Sequence, residues 1–123
     1  METTARRRLE LLDRGDLDLA ILGSTPYASS VARGAKVTAV SVLKNIAGSE
    51  GVVACEQVDR LQAMRGKIFM APYASTAHYT LLATIVEAGI DVNEVTVLTR
   101  APAEIVAAWD AGEIHGGAYF RGA

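Results

Sequence analysis

Residues 67–88 read Lys67-Ile68-Phe69-Met70-Ala71-Pro72-Tyr73-Ala74-Ser75-Thr76-Ala77-His78-Tyr79-Thr80-Leu81-Leu82-Ala83-Thr84-Ile85-Val86-Glu87-Ala88, and this run decides the fold. Lys67 to Ala71 is a short apolar run of strand length, while Ser75 to Ala88 is long enough for a helix and follows a Pro-containing breaker. The alternation continues downstream with a strand Val95 to Leu98, a helix Pro102 to Ala111 and a strand Gly117 to Phe120. Strands separated by helices of this length need crossovers. Crossovers predict an α/β fold with a doubly wound, mainly parallel sheet and helices on both faces.

Upstream the chain offers more of the same. A polar opening carries Leu9, Leu11 and Leu12 on an amphipathic helix from about residue 3 to 14, stopped by Gly15. Leu17 to Leu22 then reads as a buried strand closed by Gly23-Ser24-Thr25-Pro26, and a helix through Tyr27, Ala28, Val31 and Ala32 ends at Gly34. Lys36 to Leu43 is β-branched and alternating, which predicts a second strand. Gly48-Ser49-Glu50-Gly51 is a breaker cluster and the best boundary, after which Gly51 to Cys55 predicts a strand and Val58 to Met64 one or two helical turns.

Bulk composition limits the function. The chain has 123 residues, half of them apolar, so it can bury a core of its own as a soluble globular domain. A net charge of −2 gives no basic field, which argues against a nucleic-acid partner. Arg6, Arg7 and Arg8 lie beside Glu10 and Asp13 and read as a solvated helix face. Cys55 is the single cysteine, so no intramolecular disulfide or cysteine-based metal cluster is expected. The sequence has no apolar run of about 18 residues and no secretory leader at its start, and it predicts neither a membrane span nor export.

Two segments have the chemistry to hold an anion. In open α/β sheets ligands collect at the carboxyl ends of strands, where the following helices aim their N–H groups and partial positive charge. Gly23-Ser24-Thr25-Pro26 is one such segment, and Pro72 to Tyr79 is the other, adding His78 and Tyr79 within a turn of Ser75 and Thr76. Ser and Thr are also the commonest plain helix caps. His78 beside Leu81 and Leu82 fits a core-edge histidine as well as an anion contact. Ser75 and His78 have no orienting carboxylate nearby and no nucleophile elbow surrounds them, so catalysis is not expected. His78 and His115 lack ligand-spaced companions, and neither a dinucleotide fingerprint nor a Walker loop occurs, so neither a metal nor a cofactor is expected.

Several segments in order resemble the substrate-binding proteins of taurine and aliphatic-sulfonate ABC importers. They are Gly15 to Pro26, Ala32-Arg33-Gly34, Lys44 to Val53, Leu61 to Pro72, Ser75 to Leu82, Pro102 to Trp109 and, more weakly, Gly112 to His115. Together they cover nearly the whole chain. The Ser-Thr-Ala-His-Tyr helix start combined with the Ala-Ala-Trp helix resembles the taurine branch, whereas Gly-Asp-Leu-Asp-Leu-Ala is shared more widely.

The resemblance implies a partial periplasmic-binding-protein type II fold, with residues 1–50 a remnant of lobe one and residues 51–123 an incomplete lobe two. It implies two lobes that close on a ligand, a closure that contacts to both lobes stabilise. Ser24 and Thr25 would line the cleft, Glu50 would receive the ammonium of taurine, and Ser75, Thr76, His78 and Tyr79 would meet the sulfonate, with Tyr119 a further contact. A tetrahedral sulfonate with one charge suits helix amides and hydroxyls without arginine.

Family members are more than twice this length, so the chain is expected to be truncated at both ends. It departs from them at His115-Gly116-Gly117, where they usually carry an acidic residue. The implied partners are a small anionic ligand, an ABC permease, and a second copy of the chain through unpaired sheet edges. The implied location is the periplasm, or the cytoplasm for a product without a leader. A cytoplasmic ligand-sensing or interaction domain that reuses the fold is the alternative function.

Overall fold

The computed structural model describes residues 5–45 and 48–120, with side chains to 118. In chain order the elements are α1 (Ala5–Asp13), α2 (Ser24–Ala32), β1 (Glu50–Ala54), β2 (Ile68–Ala71), α3 (Thr76–Glu87), β3 (Thr96–Thr99), α4 (Pro102–Asp110) and β4 (Gly116–Phe120). Two compact units divide the chain: Met1–Asn45 with Ala74–Thr76, and Ile46–Tyr73 with Ala77–Ala123. Among the described residues no helix is long and apolar enough to cross a membrane.

In the first unit, α1 buries Leu9 and α2 buries Pro26 and Ser30. Gly15 ends α1 at φ 78°, a conformation costly for any residue with a Cβ, and this turn lets Asp16 N donate to Leu11 O at 2.8 Å and Gly15 N to Leu12 O at 3.1 Å. The arginine face is solvated as expected. Arg6 and Arg7 pair with Glu10 at 3.1 and 3.5 Å, and Arg8 donates to Ile21 O at 2.9 Å.

The two strands predicted in this unit do not form. Leu17 to Leu22 and Lys36 to Leu43 join no ladder among the described residues, and they leave Leu19 75%, Ile21 71%, Val40 78% and Val42 86% exposed. A strand is completed by the hydrogen bonds of a neighbour. Alternation gives these segments the capacity to pair but not the partner. The amphipathic helix predicted from residue 3 is described from Ala5, since residues 1–4 lie outside the described residues.

The second unit holds the sheet, in the order β1-β4-β2-β3. β2 pairs parallel with β3 and with β4, while β1 pairs antiparallel with β4 from Glu50↔Phe120 to Ala54↔Gly116. The sheet is mainly parallel as expected, and β1 is its one antiparallel strand among the described residues for a topological reason. Only β2, β3 and β4 are linked by crossover helices, whereas β1 precedes the first crossover and adds at the edge. The turns predicted over Val58 to Met64 tighten to one 3₁₀ turn, Leu61–Met64.

Side-chain alternation along β2 sorts the two faces. Phe69 and Ala71 pack with Ala77, Leu81 and Ile85 of α3, together with Met64, Ile90 and Val95. Met70 and Ile68 pack on the opposite side with Ala108 and Ile105 of α4 and with Ile114. Phe69, Leu81 and Ile85 are completely buried, and removing most of such a side chain costs about 2–5 kcal/mol. The spacing of Ala77, Leu81 and Ile85 is one turn each, so a single stripe fixes α3 on the sheet. The helix stops at Gly89, where Ile90 N donates back to Ile85 O at 3.2 Å and the two isoleucines share the core.

Candidate functional site

In the first unit, the segment 74–76 joins α2. Gly23 is the cap residue of α2, extended at φ −71° and ψ 160°, and no side chain caps the helix. Ser24 and Thr25 are thus residues of the first turn rather than caps, Ser24 exposed and Thr25 half-buried. A Cβ placed on Gly23 would stand 2.9 Å from Thr76 Oγ1, so the hydroxyl of the first residue of α3 rests directly on the start of α2. Ala74, just upstream, has φ 53°, a left-handed conformation that costs a residue with a Cβ roughly 1–2 kcal/mol. Strain of this kind persists where the surroundings over-determine it. It turns the chain sharply between Tyr73 and Ser75.

In the second unit, Glu50 is the first residue of β1 and lies opposite Phe120, at the carboxyl end of the parallel strands. Thr80 Oγ1 donates to Glu50 Oε2 at 2.9 Å in a half-buried setting. His78 is half-buried, and its ring stands 5.9 Å from that of Tyr73 at a 44° tilt. Burial disfavours the charged imidazole and lowers the His78 pKa below its ordinary value of 6.5. Tyr79 is exposed, 63% of its surface being open. Tyr119 pairs with Gly51 through its backbone, and its side chain lies outside the described ones.

The sequence missed Gly23 as a contact, Tyr73 as the neighbour of His78, and Thr80 as the partner of Glu50. Thr80 had one available signal, since it follows Thr76 by four residues and so by about one helical turn. His115 turns out to be architectural. Its Nδ1 accepts from Ile68 N at 3.1 Å, its backbone N donates to Ile68 O at 2.8 Å, and its carbonyl accepts from Cys55 N at 2.8 Å. These bonds gather β1, β2 and β4 at the end of the sheet away from Glu50. The second unit also has two open hollows, of about 380 Å³ beside Cys55, Trp109 and His115 and about 350 Å³ beside Val52, Leu61 and Met64. Neither touches a predicted site residue. Among the described residues no three His, Cys, Asp or Glu side chains gather as a metal set.

Comparison with known proteins gives three kinds of match. The sequence model of a family described as NMT1/THI5 like matches residues 2–123. The taurine-binding periplasmic protein of Escherichia coli (strain K12) is 30% identical over 105 residues, covering 85% of this chain and 33% of that protein. The alkanesulfonate-binding protein SsuA from Xanthomonas axonopodis pv. citri, solved bound to MOPS, superposes with a TM-score of 0.81 at 25% identity, over 97% of this chain and 42% of that one. The periplasmic aliphatic sulphonate binding protein SsuA from Escherichia coli shares the fold with a TM-score of 0.81 at 24% identity, over 94% of this chain and 38% of that one. The chain spans about a third of the length of the curated relative it matches.

Proposed function

The chain belongs to the NMT1/THI5-like family, and on that footing we propose that it binds a small organic anion of the sulfonate class as part of a solute-binding protein serving an ABC importer. Both the curated relative and the solved structures are named for sulfonate ligands, taurine in one case and alkanesulfonates in the others. In this reading residues 1–50 derive from the first lobe and residues 51–123 from the second, the location is the periplasm, and a permease is the downstream partner.

The observation that carries the reading is the contact between Gly23 and Thr76 Oγ1. It brings the amide-bearing starts of α2 and α3 together within the first unit. The first-turn N–H groups of α2 and the hydroxyls of Ser24, Thr25, Ser75 and Thr76, all within the first unit, suit a tetrahedral oxyanion of single charge. Glu50 takes the ammonium when the ligand carries one, and His78 and Tyr79 supply further contacts. His78 approaches the ligand uncharged near neutral pH and acts as a hydrogen-bonding group.

Gly23→Ala tests this directly. The backbone at Gly23 is ordinary extended chain that alanine can adopt, and the added methyl presses on the Thr76 hydroxyl at 2.9 Å beside Pro26 Cδ at 3.5 Å. Thermal unfolding is followed with and without ethanesulfonate. Ligand at a hundredfold above its Kd should stabilise the parent by about 2.7 kcal/mol. Without ligand the variant should still unfold cooperatively, with a loss of about 1 kcal/mol or less, and it should lose most of the ligand-induced rise. An equal rise in both proteins removes the site.

A further inference from the structure

Glu50 and Thr80 come from different elements of the second unit, and their side chains meet at the carboxyl end of the parallel strands. β1 runs antiparallel to β4, which places its first residue, Glu50, beside Phe120 where the parallel strands end. Thr80 lies in the second turn of α3, with its own carbonyl accepting from Thr84 Oγ1 at 2.8 Å, so its backbone is held in the helix. A threonine hydroxyl has a single proton, and here it goes to Glu50 Oε2 at 2.9 Å. A carboxylate has about four acceptor positions, so a donor that fixes its orientation can still leave room for a further donor.

We propose that Thr80 is a positioning residue for ligand choice: by holding the Glu50 carboxylate in one orientation, it gives the site its preference for amine-bearing sulfonates over plain alkanesulfonates. A free glutamate side chain samples several rotamers and must be ordered when a cation arrives, whereas a carboxylate already tied to α3 has lost that freedom in advance. The effect reaches only ligands with an ammonium, because the sulfonate end is met by other groups. The inference rests on the sulfonate-binding reading and on Glu50 as the amine partner.

Thr80→Val keeps the shape and removes the donor, Thr80→Ala removes the donor without adding a methyl, and Thr80→Ser restores the hydroxyl. Calorimetric titrations use taurine and ethanesulfonate, which differ only in the amine. The parent should bind taurine more tightly. Thr80→Val and Thr80→Ala should weaken taurine about tenfold and ethanesulfonate by less than about twofold, while Thr80→Ser stays close to the parent. Retained ethanesulfonate affinity also reports that the variants are folded. If the parent prefers taurine and the donor-less variants keep that preference, or lose both ligands alike, the role of Thr80 is overturned. A parent that binds both equally overturns Glu50 as the amine partner and this inference with it. A parent that binds neither overturns the sulfonate reading as well.

Discussion

His115 and Ile68 are joined twice, the Nδ1 of the histidine accepting the Ile68 N–H at 3.1 Å while the His115 N–H donates to the Ile68 carbonyl at 2.8 Å. The side chain thereby does the work of one more ladder bond at the start of the parallel pair β2 and β4. His115→Ala leaves the Ile68 N–H without its acceptor and should cost about 1–3 kcal/mol. His115→Asn, whose side-chain oxygen can accept, should recover part of the loss. Urea unfolding of both variants decides it, and equal stability of parent and His115→Ala would show that solvent replaces the bond.

Gly116 is required by packing rather than by its backbone angles. A Cβ there would stand 2.5 Å from Phe69 Cε1, and it would also run into the Val53 carbonyl. At Gly117 the nearest atoms are the Met70 carbonyl at 3.1 Å and Ile105 Cγ2 at 3.5 Å. Gly116→Ala should therefore destabilise by at least about 2 kcal/mol, and Gly117→Ala by about 1 kcal/mol or less. Chemical unfolding midpoints of the two variants should differ in that order.

His78 makes stability depend on pH. Burial lowers its folded pKa below 6.5, so between that lowered value and 6.5 the unfolded chain binds more protons than the folded one. Stability from this group is complete above pH 6.5, declines as pH falls below it, and is gone once pH has passed the folded pKa. His78→Gln should flatten that part of the profile, whatever constant offset the loss of the ring contact with Tyr73 adds at pH 8. Thermal unfolding across pH 5 to 8 measures both curves, and parallel curves would assign the slope to other groups.

The exposed apolar residues of the two extended segments predict self-association. Leu19, Ile21, Val40 and Val42 are each more than two-thirds exposed, on backbone that joins no ladder among the described residues. Such segments are templates for strand pairing with another copy. Val42→Lys should shift sedimentation toward monomer at concentrations where the parent associates. A parent that sediments as a monomer at high concentration contradicts the prediction.

How much of this was legible in the sequence depends on whether a feature is local. The series β2-α3-β3-α4-β4 was readable because each element declares itself in its own residues, as in the stripe Ala77, Leu81 and Ile85 or the stop at Gly89. The segments Leu17 to Leu22 and Lys36 to Leu43 carried an equally clear pattern and still formed no strand, because a strand requires a second participant that the pattern does not name. The antiparallel placement of β1 was hidden for the same reason. In the proposed site, Ser75 and Thr76 were visible as a helix start. The contacts of Gly23 and Thr80 were not, since they depend on what each residue meets, Thr76 Oγ1 in one case and Glu50 in the other.

Calorimetric titration of the chain with ethanesulfonate, alongside a Ser75→Ala, Thr76→Ala double variant, tests the central claim most directly. Anion recognition at the start of α3 predicts one saturable site per chain in the parent and, with two hydroxyl donors removed, affinity lowered by about tenfold or more in the variant. Heats that are absent in the parent, or identical in the two proteins, would contradict it.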